Sequence, residues 1–332
     1  MAGQTMRTML AIRRDAYGEP ETLRLDEVPV PQPKPGEVLV RVRASSVNRA
    51  DIDYLTGTPL LTRMGTGMRS PRNQGLGLDV AGVVDAVGAG VTRWAPGDEV
   101  LGDLTLYGYG AFAEYACAPE RTWVRKPATV SFEEAATLPQ SAVLALQGLR
   151  GGQQIGPDSR VLVNGASGNV GPFVVQLAKA FGAEVTGVCS TSKVDFVQSL
   201  GADHVIDYSR EDYRRGGPRY DWIVDVMGKG SMAAVRRALR PGGRYVMAGG
   251  STGAIFAALT VGSALSLAGG RTVGLLLWWK PGNPADMERL AAMVEAGTLR
   301  PAIDRRYPLA EVPDALRYLA DGKARGKLVI TM

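Results

Sequence analysis

The chain's 332 residues, 45% of them apolar and 21% charged, suffice for two domains that each bury a core, and the balance excludes a disordered or fibrous protein. Its net charge of +5 is spread over 38 basic and 33 acidic residues with no lysine–arginine block, which argues against nucleic acid as a partner. One histidine and two well-separated cysteines, Cys117 and Cys189, exclude a disulfide framework and a zinc site built on several imidazoles, and they suit reduced thiols in a cytoplasmic protein.

Residues 1–6 read as a loose tail without a secretory pattern. Short β-type runs follow at 9–13, 38–44, 81–87 and 111–117. The proline-rich stretch Pro29–Pro35, ending in Gly36, reads as a surface connector, and Gly97-Asp98 as a turn into a strand at 99–101. Between Leu60 and Gly75 a basic stretch with Arg63, Arg69 and Arg72 reads either as a lid over a site or as a solvated loop. From about Ser141 strands and helices alternate. Strands are expected at 160–164, 184–188, 204–206, 222–226, 244–248 and 271–277, with helices at 170–181 and, capped by Ser192, at 194–200. That alternation predicts a doubly wound parallel sheet over residues 141–283. A helix from Pro284 to Glu295, another at 312–320 and a strand at 327–331 return to the first domain, which therefore comprises 1–140 and 284–332. The longest apolar stretch, 254–277, is broken by Gly262, Gly269, Gly270 and Arg271, so no membrane span is expected. His204 reads as a polar residue at the mouth of a strand, since no G-x-S-x-G elbow accompanies it.

The segment RVLVNGASGNVGPFVVQLAKAF carries the chemistry. A buried-type strand runs into Gly165, Ala166, Ser167, Gly168, Asn169, Val170 and Gly171, and a helix follows at once. A tight glycine turn lets backbone N–H groups approach a pyrophosphate, and the helix N-terminus adds partial positive charge. The second strand then ends in Cys189-Ser190-Thr191-Ser192-Lys193, with no acid before Asp195. An acid there would hold the ribose of NAD; hydroxyls and an ammonium suit a 2′-phosphate. Ser190, Thr191 and Lys193 are the expected pocket for NADPH.

Several motifs in order carry a resemblance: VNRADIDYLTG at 47–57, GLDVAGVVDAVG at 77–88, APGDEVLG at 95–102, NGASGNVG at 164–171, GADHVIDY at 201–208 and ARGKLVI at 324–330. On these the chain resembles the medium-chain dehydrogenases/reductases along nearly its whole length, and their zinc-free quinone oxidoreductase-like members in particular. The resemblance implies an α/β protein: a GroES-like, mostly-β catalytic domain, a Rossmann NADP-binding domain, and a cleft between them for nicotinamide and substrate. It also implies a homodimer paired through the 271–277 edge strand. Tyr208 looks like the family's tyrosine near the adenosine phosphate. Gly228, Ala248, Gly249 and Gly250 follow strand ends where ribose and nicotinamide are expected, and Leu275, Leu276 and Leu277 would contact the carboxamide. Zinc-bearing members have a cysteine near Ser46, a histidine shortly after Gly77 and a four-cysteine cluster near 90–115. This chain has Ser46, Leu78-Asp79 and no cysteine in that range, so no metal site is expected. Where relatives commonly have a threonine near the nicotinamide, this chain has Leu144.

Without zinc, hydride transfer suits a quinone or an α,β-unsaturated carbonyl, whose developing charge moves to a distant oxygen that hydrogen-bond donors can hold. Asn48 and Asp51 occupy the family's N-x-x-D positions. Asn48 either donates to the substrate oxygen or orients the ribose, and Asp51 either transfers protons or fixes the loop. Tyr54, Tyr107 and Tyr109 are candidate phenols, and Trp278 lines the substrate pocket or covers a subunit interface. Lys327, as a strand residue, points either to the cofactor or to solvent. The competing readings are a zinc-free carbonyl reductase or alcohol dehydrogenase, and a nucleotide-binding protein with vestigial redox activity.

Overall fold

The strand pattern of the sequence sorts into three sheets in the computed structural model, which describes residues 7–151, 154–217, 219–267, 269–277 and 279–332. Two compact units result. One takes the chain up to Val143 with Pro281–Gly297 and Ile303–Met332; the other takes Leu144–Lys280 with Thr298–Ala302.

In the first unit β1 (Thr8–Arg13) and β2 (Arg24–Pro29) form an antiparallel pair. The main sheet uses β3 (Glu37–Val47), β4 (Asp79–Val87), β5 (Glu99–Asp103), β6 (Tyr115–Pro119) and β7 (Trp123–Arg125). Apolar side chains of these strands, among them Val38, Val40, Val80 and Trp123, close one core. Each fully buried large side chain of this kind contributes about 1.5–3 kcal/mol. The expected strand at 111–117 starts late, at Tyr115. The preceding residues are taken by β1 instead, with Ile12 N–H donating to Phe112 O at 2.8 Å and Ala11 bridging Ala113. Residues 60–75 are not a plain loop: Leu61–Thr66 is a short helix, and Arg63 is tied to the Gly57 carbonyl at 3.0 Å and stacked on Tyr17.

The second unit holds six parallel strands: β8 (Arg160–Asn164), β9 (Glu184–Cys189), β10 (His204–Asp207), β11 (Tyr220–Asp225), β12 (Leu239–Met247) and β13 (Thr272–Leu275), in the order β10-β9-β8-β11-β12-β13. The order in which strands are added switches from one side of the sheet to the other between β8 and β11, and open parallel sheets bind ligands beyond the carboxyl ends at such a point. Val161, Leu162 and Val163 of β8 are completely buried, as a central parallel strand requires. β13 lies at the sheet edge and is shorter than the expected 271–277 run, because Leu277 N–H turns back to Leu275 O at 2.8 Å. The expected cap Ser192 lies inside a tight turn, Thr191–Lys193, and the N-cap of helix Val194–Ser199 is Lys193.

The chain then returns to the first unit as helix Pro284–Glu295, β14 (Ile303–Pro308), helix Val312–Ala320 and β15 (Lys327–Thr331). β15 pairs with both β14 and β3, which makes it an interior strand whose residues Lys327–Ile330 are all buried.

Candidate active site

The glycine loop of the second unit leaves β8 at Gly165, whose φ of 86° is open to glycine but costly for other residues. Gly165 and Ala166 both donate to Val188 O, at 3.1 and 3.0 Å, which folds the loop back over the end of β9. Gly171 opens helix Gly171–Ala180, and a Cβ there would lie 2.2 Å from Gly165 O. No side chain fits at Gly165 or Gly171, and the turn they close runs directly into a helix N-terminus, the arrangement a dinucleotide pyrophosphate requires.

The ends of the neighbouring strands converge on Asp225, which the sequence reading did not single out. Its buried carboxylate accepts from Met227 and Gly228 N–H, both at 2.8 Å, from Asn164 Nδ2 at 2.9 Å and from Tyr245 O–H at 3.0 Å. Asp225 thereby fixes the turn after β11, where Gly228 (φ 57°) approaches Gly249 so closely that a Cβ would meet its carbonyl at 2.3 Å. Gly228, Ala248, Gly249 and Gly250 therefore lie together beyond β11 and β12. Leu276 N–H donates to Met247 O at 2.9 Å, which brings Leu276 beside the same strand end, while Leu277 is exposed.

At the end of β9, Ser190, Thr191 and Lys193 do fall in one turn, but the turn has neighbours that the linear sequence hides. Thr191 donates to Asp207 Oδ2 at 2.6 Å and lies 3.2 Å from Ser209 Oγ. Hydrogen bonds from Thr191 and Ser209 lower the Asp207 pKa. Arg210 stands 3.5 Å from the same carboxylate. An acid is thus present beside the expected 2′-phosphate pocket, carried in on β10, together with a second cation. Tyr208 N–H donates to Cys189 O at 3.1 Å and its side chain is exposed at this edge.

In the first unit, the sheet register aligns Val329 of β15, Ser46 of β3, Asp79 of β4 and Asp103 of β5 across one row. Around that row lies a fully buried polar cluster. Lys327 Nζ donates to Asn48 Oδ1 at 2.6 Å, to Ser141 Oγ at 3.0 Å and to Val47 O at 3.3 Å, and lies 3.5 Å from Asp79 Oδ2. Asp79 in turn accepts from Ser46 Oγ at 2.5 Å, Asn48 Nδ2 at 2.8 Å and Gln140 N–H at 3.0 Å. Burial pulls the Lys327 pKa down and the Asp79 pKa up, and each charge opposes the shift of the other. Lys327 therefore points neither to solvent nor away from the candidate residues: it is their centre. Ser141 reaches the cluster from a wide helical turn, Leu138–Ala142.

This cluster settles what the Asn48 side chain touches. Both amide N–H groups are directed to Asp79 and Ser46 O, and the amide oxygen accepts from Lys327 and Ser141. In this arrangement Asn48 has no N–H left for a substrate oxygen. Asp51 Oδ2 accepts from Asn48 N–H at 2.7 Å, holding the start of helix Arg49–Thr56, and burial raises its pKa. The carboxyl of Asp103, hydrogen-bonded to Thr105, is pushed up to about 7 by burial and by the charge of Asp79.

Tyr54 and Tyr109 come together with ring centroids 4.5 Å apart. Tyr107 packs instead against the sheet core, and its hydroxyl accepts from Arg121 at 3.2 Å. Trp278 and the expected tail 1–6 lie outside the described residues.

The donor set does not fit a catalytic zinc. At the relevant row Ser46 donates to Asp79, and an ammonium group already occupies the space beside that carboxylate. Among the described residues no three His, Cys, Asp or Glu side chains group as metal ligands. His204 is exposed and paired with Glu184 at 2.9 Å.

Two family models match the chain: an alcohol dehydrogenase GroES-like domain over residues 34–128 and a zinc-binding dehydrogenase over 200–330. A chloroplast envelope quinone oxidoreductase homolog from Arabidopsis thaliana is 32% identical, over 99% of each chain. An NADPH-dependent alkenal/one oxidoreductase, chloroplastic, from the same plant is 32% identical over 95% of this chain and 77% of its own. The structure of the quinone oxidoreductase from Coxiella burnetii superposes with a TM-score of 0.86 at 30% identity, covering 98% of this chain and all of the other. The parallel sheet with its glycine turn, the GroES-like unit and these full-length similarities give one answer: the chain belongs to the medium-chain dehydrogenase/reductase superfamily, in its quinone oxidoreductase-like branch.

Proposed function

We propose that the chain is an NADPH-dependent reductase that transfers hydride to quinones or α,β-unsaturated carbonyls without zinc. The observation that carries this reading is the Lys327–Asp79–Asn48–Ser46 cluster, which has an ammonium where a divalent cation would need open ligands. A simple ketone or alcohol depends on a Lewis acid to stabilise its alkoxide; a conjugated acceptor does not, because its charge spreads to an enolate or a hydroquinone anion.

When bound, the nicotinamide supplies the hydride. The chain's residues do the rest. The Gly165–Gly171 turn and its helix N-terminus would hold the pyrophosphate, and the Gly228 and Gly249–Gly250 turns, packed against each other, would border the ribose and nicotinamide. Lys193 and Arg210, with Ser190, would bind the 2′-phosphate, and together the two cations outweigh the single charge of Asp207. Asn48 acts as a positioning residue, locked between Lys327 and Asp79. The stacked phenols Tyr54 and Tyr109 are the candidate proton donors. Helix Leu61–Thr66 and its flanks present Leu60, Met64 and Met68 to solvent, an adaptable apolar surface that suits a planar, poorly hydrated acceptor.

A homodimer paired through β13 fits the same reading. The strand is an open edge, and Phe256, Leu267 and Leu277 are 68, 89 and 71% exposed. Free thiols at Cys117 and Cys189 support a reducing compartment such as the cytoplasm, and among the described residues no helix is long and apolar enough to cross a membrane. The test of zinc independence is enone turnover by enzyme whose metal content has been measured after chelation. Full activity with well under one zinc per chain is expected; activity that follows zinc content would overturn the reading.

A further inference from the structure

The strand order β10-β9-β8-β11-β12 sets the order in which a dinucleotide lies across the second unit. The expected 2′-phosphate pocket, Ser190 to Lys193, follows β9, and the glycine turn that suits a pyrophosphate follows β8. The opposite end of the dinucleotide, the nicotinamide, then falls over the ends of β11 and β12, on the far side of the switch point. Asp225 is the last residue of β11, and it is completely buried.

Its place is fixed from both neighbouring strands. In the sheet register Asp225 pairs with Asn164 of β8 and with Met247 of β12. Val226 N–H donates to Asn164 O at 3.1 Å, and Ala248 N–H donates to Asp225 O at 2.8 Å. The carboxylate Oδ1 accepts from Asn164 Nδ2, Met227 N–H and Gly228 N–H, and Oδ2 accepts from the Tyr245 hydroxyl. The turn held in this way is wedged between the other two. A Cβ at Gly165 would meet Val226 Cγ2 at 2.6 Å, and one at Gly228 would meet Gly249 O at 2.3 Å. Asp225 therefore sets the spacing between the glycine turn and the Gly249–Gly250 turn.

Its charge is held as firmly as its position. An oxygen that takes three N–H groups suits an ionised carboxyl. Burial raises the Asp225 pKa, and the same four hydrogen bonds pull it back. Arg214 feels this charge, but its guanidinium is engaged by Asp212 at 2.7 and 2.9 Å. The four dipoles stabilise the anion without cancelling its charge, so its field extends past the strand ends.

We propose that Asp225 is a positioning residue whose buried charge favours the oxidised nicotinamide and so makes bound NADPH a stronger hydride donor. The proposal rests on the cofactor-site reading above. When the C–H bond of the reduced ring breaks, hydride carries its electron pair to the acceptor and the ring gains one positive charge. A fixed anion stabilises that product more than the neutral reduced ring, and burial lessens the screening between them. Binding reports the effect without turnover, because the field favours NADP+ over NADPH.

The test titrates the full-length protein with NADPH and with NADP+, for the wild type, Asp225→Asn, Asp225→Ser and Asp225→Glu. Asn and Ser remove the charge but still accept the N–H groups of the turn, and two neutral variants guard against loss of fold in either. Glu keeps the charge and disturbs the turn. The ratio of Kd for NADP+ to Kd for NADPH should rise about fivefold or more in Asp225→Asn and Asp225→Ser. In Asp225→Glu it should stay within about twofold of the wild type, with both forms weakened alike. If the wild type binds both forms and the neutral variants leave the ratio unchanged, the proposal is overturned while the cofactor site stands. A ratio that moves as far in Asp225→Glu as in Asp225→Asn overturns it as well, since the shape of the turn then explains the change. If the wild type binds neither form, the cofactor-site reading falls first and the proposal with it.

Discussion

The Lys327 ammonium lies 2.6 Å from the side-chain oxygen of Asn48, across a sequence separation of 279 residues. That bond joins the last strand of the chain to the N-x-x-D segment near its start. It also leaves Asp79, 3.5 Å away, as the partner that balances the buried charge. Replacing Lys327 with Met should destabilise the protein by about 3–5 kcal/mol, since it strands a buried carboxylate. The combined Lys327→Met, Asp79→Asn variant should recover a substantial part of that loss in a chemical denaturation series. A double variant less stable than the sum of the two single changes would contradict the pairing.

Asp103 makes stability depend on pH. Its carboxyl is raised from 3.8 to about 7, so the folded chain binds this proton more tightly than the unfolded chain. The stabilisation is complete below pH 3.8 and is lost as pH rises through about 7. Asp51 and Asp79, also raised by burial, act in the same direction. Asp103→Asn should flatten the fall in unfolding free energy over this window, by an amount on the order of a few kcal/mol. An unchanged slope would mean that Asp103 does not titrate there.

Cofactor choice is written at the ends of β9 and β10. Lys193→Glu and Arg210→Glu should each lower the NADPH-to-NADH ratio of kcat/KM by about 10-fold or more, through loss of a charged contact to the 2′-phosphate. Asp207→Asn should raise the same ratio, because it removes the charge of the carboxylate to which Thr191 donates. Steady-state kinetics with both cofactors decide this. A ratio unmoved by all three changes places the 2′-phosphate elsewhere.

The dimer proposal is checked by placing a charge at the edge of the second sheet. Leu267→Asp with Leu277→Asp should shift the protein from dimer to monomer in light scattering at micromolar concentration. A wild-type monomer, or a dimer indifferent to both changes, rejects pairing through β13.

What the sequence reveals follows from how local each feature is. The glycine turn between β8 and helix Gly171–Ala180 is legible because strand, turn and helix are contiguous and each has its own pattern. The Lys327 cluster is not legible. Its members come from β3 and the residue after it, from β4, from the turn at 138–142 and from β15, and only the fold brings these distant segments together around the Ser46–Asp79 pair. A lysine in a strand carries no sign of which face it occupies; in the fold Lys327 is buried and its ammonium meets Asn48 and Ser141. Asp207 escaped because an acid was sought only along β9, whereas the neighbouring strand brings it in. Asp225 had a signal that went unread: a lone acid closing the apolar run of β11 just before Gly228.

The most direct test of zinc-free conjugate reduction follows nicotinamide absorbance with NADPH and NADH in parallel, in chelator, against one quinone, one enone and one simple ketone. Rapid NADPH oxidation with the quinone or the enone, slower NADH oxidation and almost none with the ketone is the predicted result. Turnover confined to the ketone, or turnover that the chelator abolishes, would contradict the account.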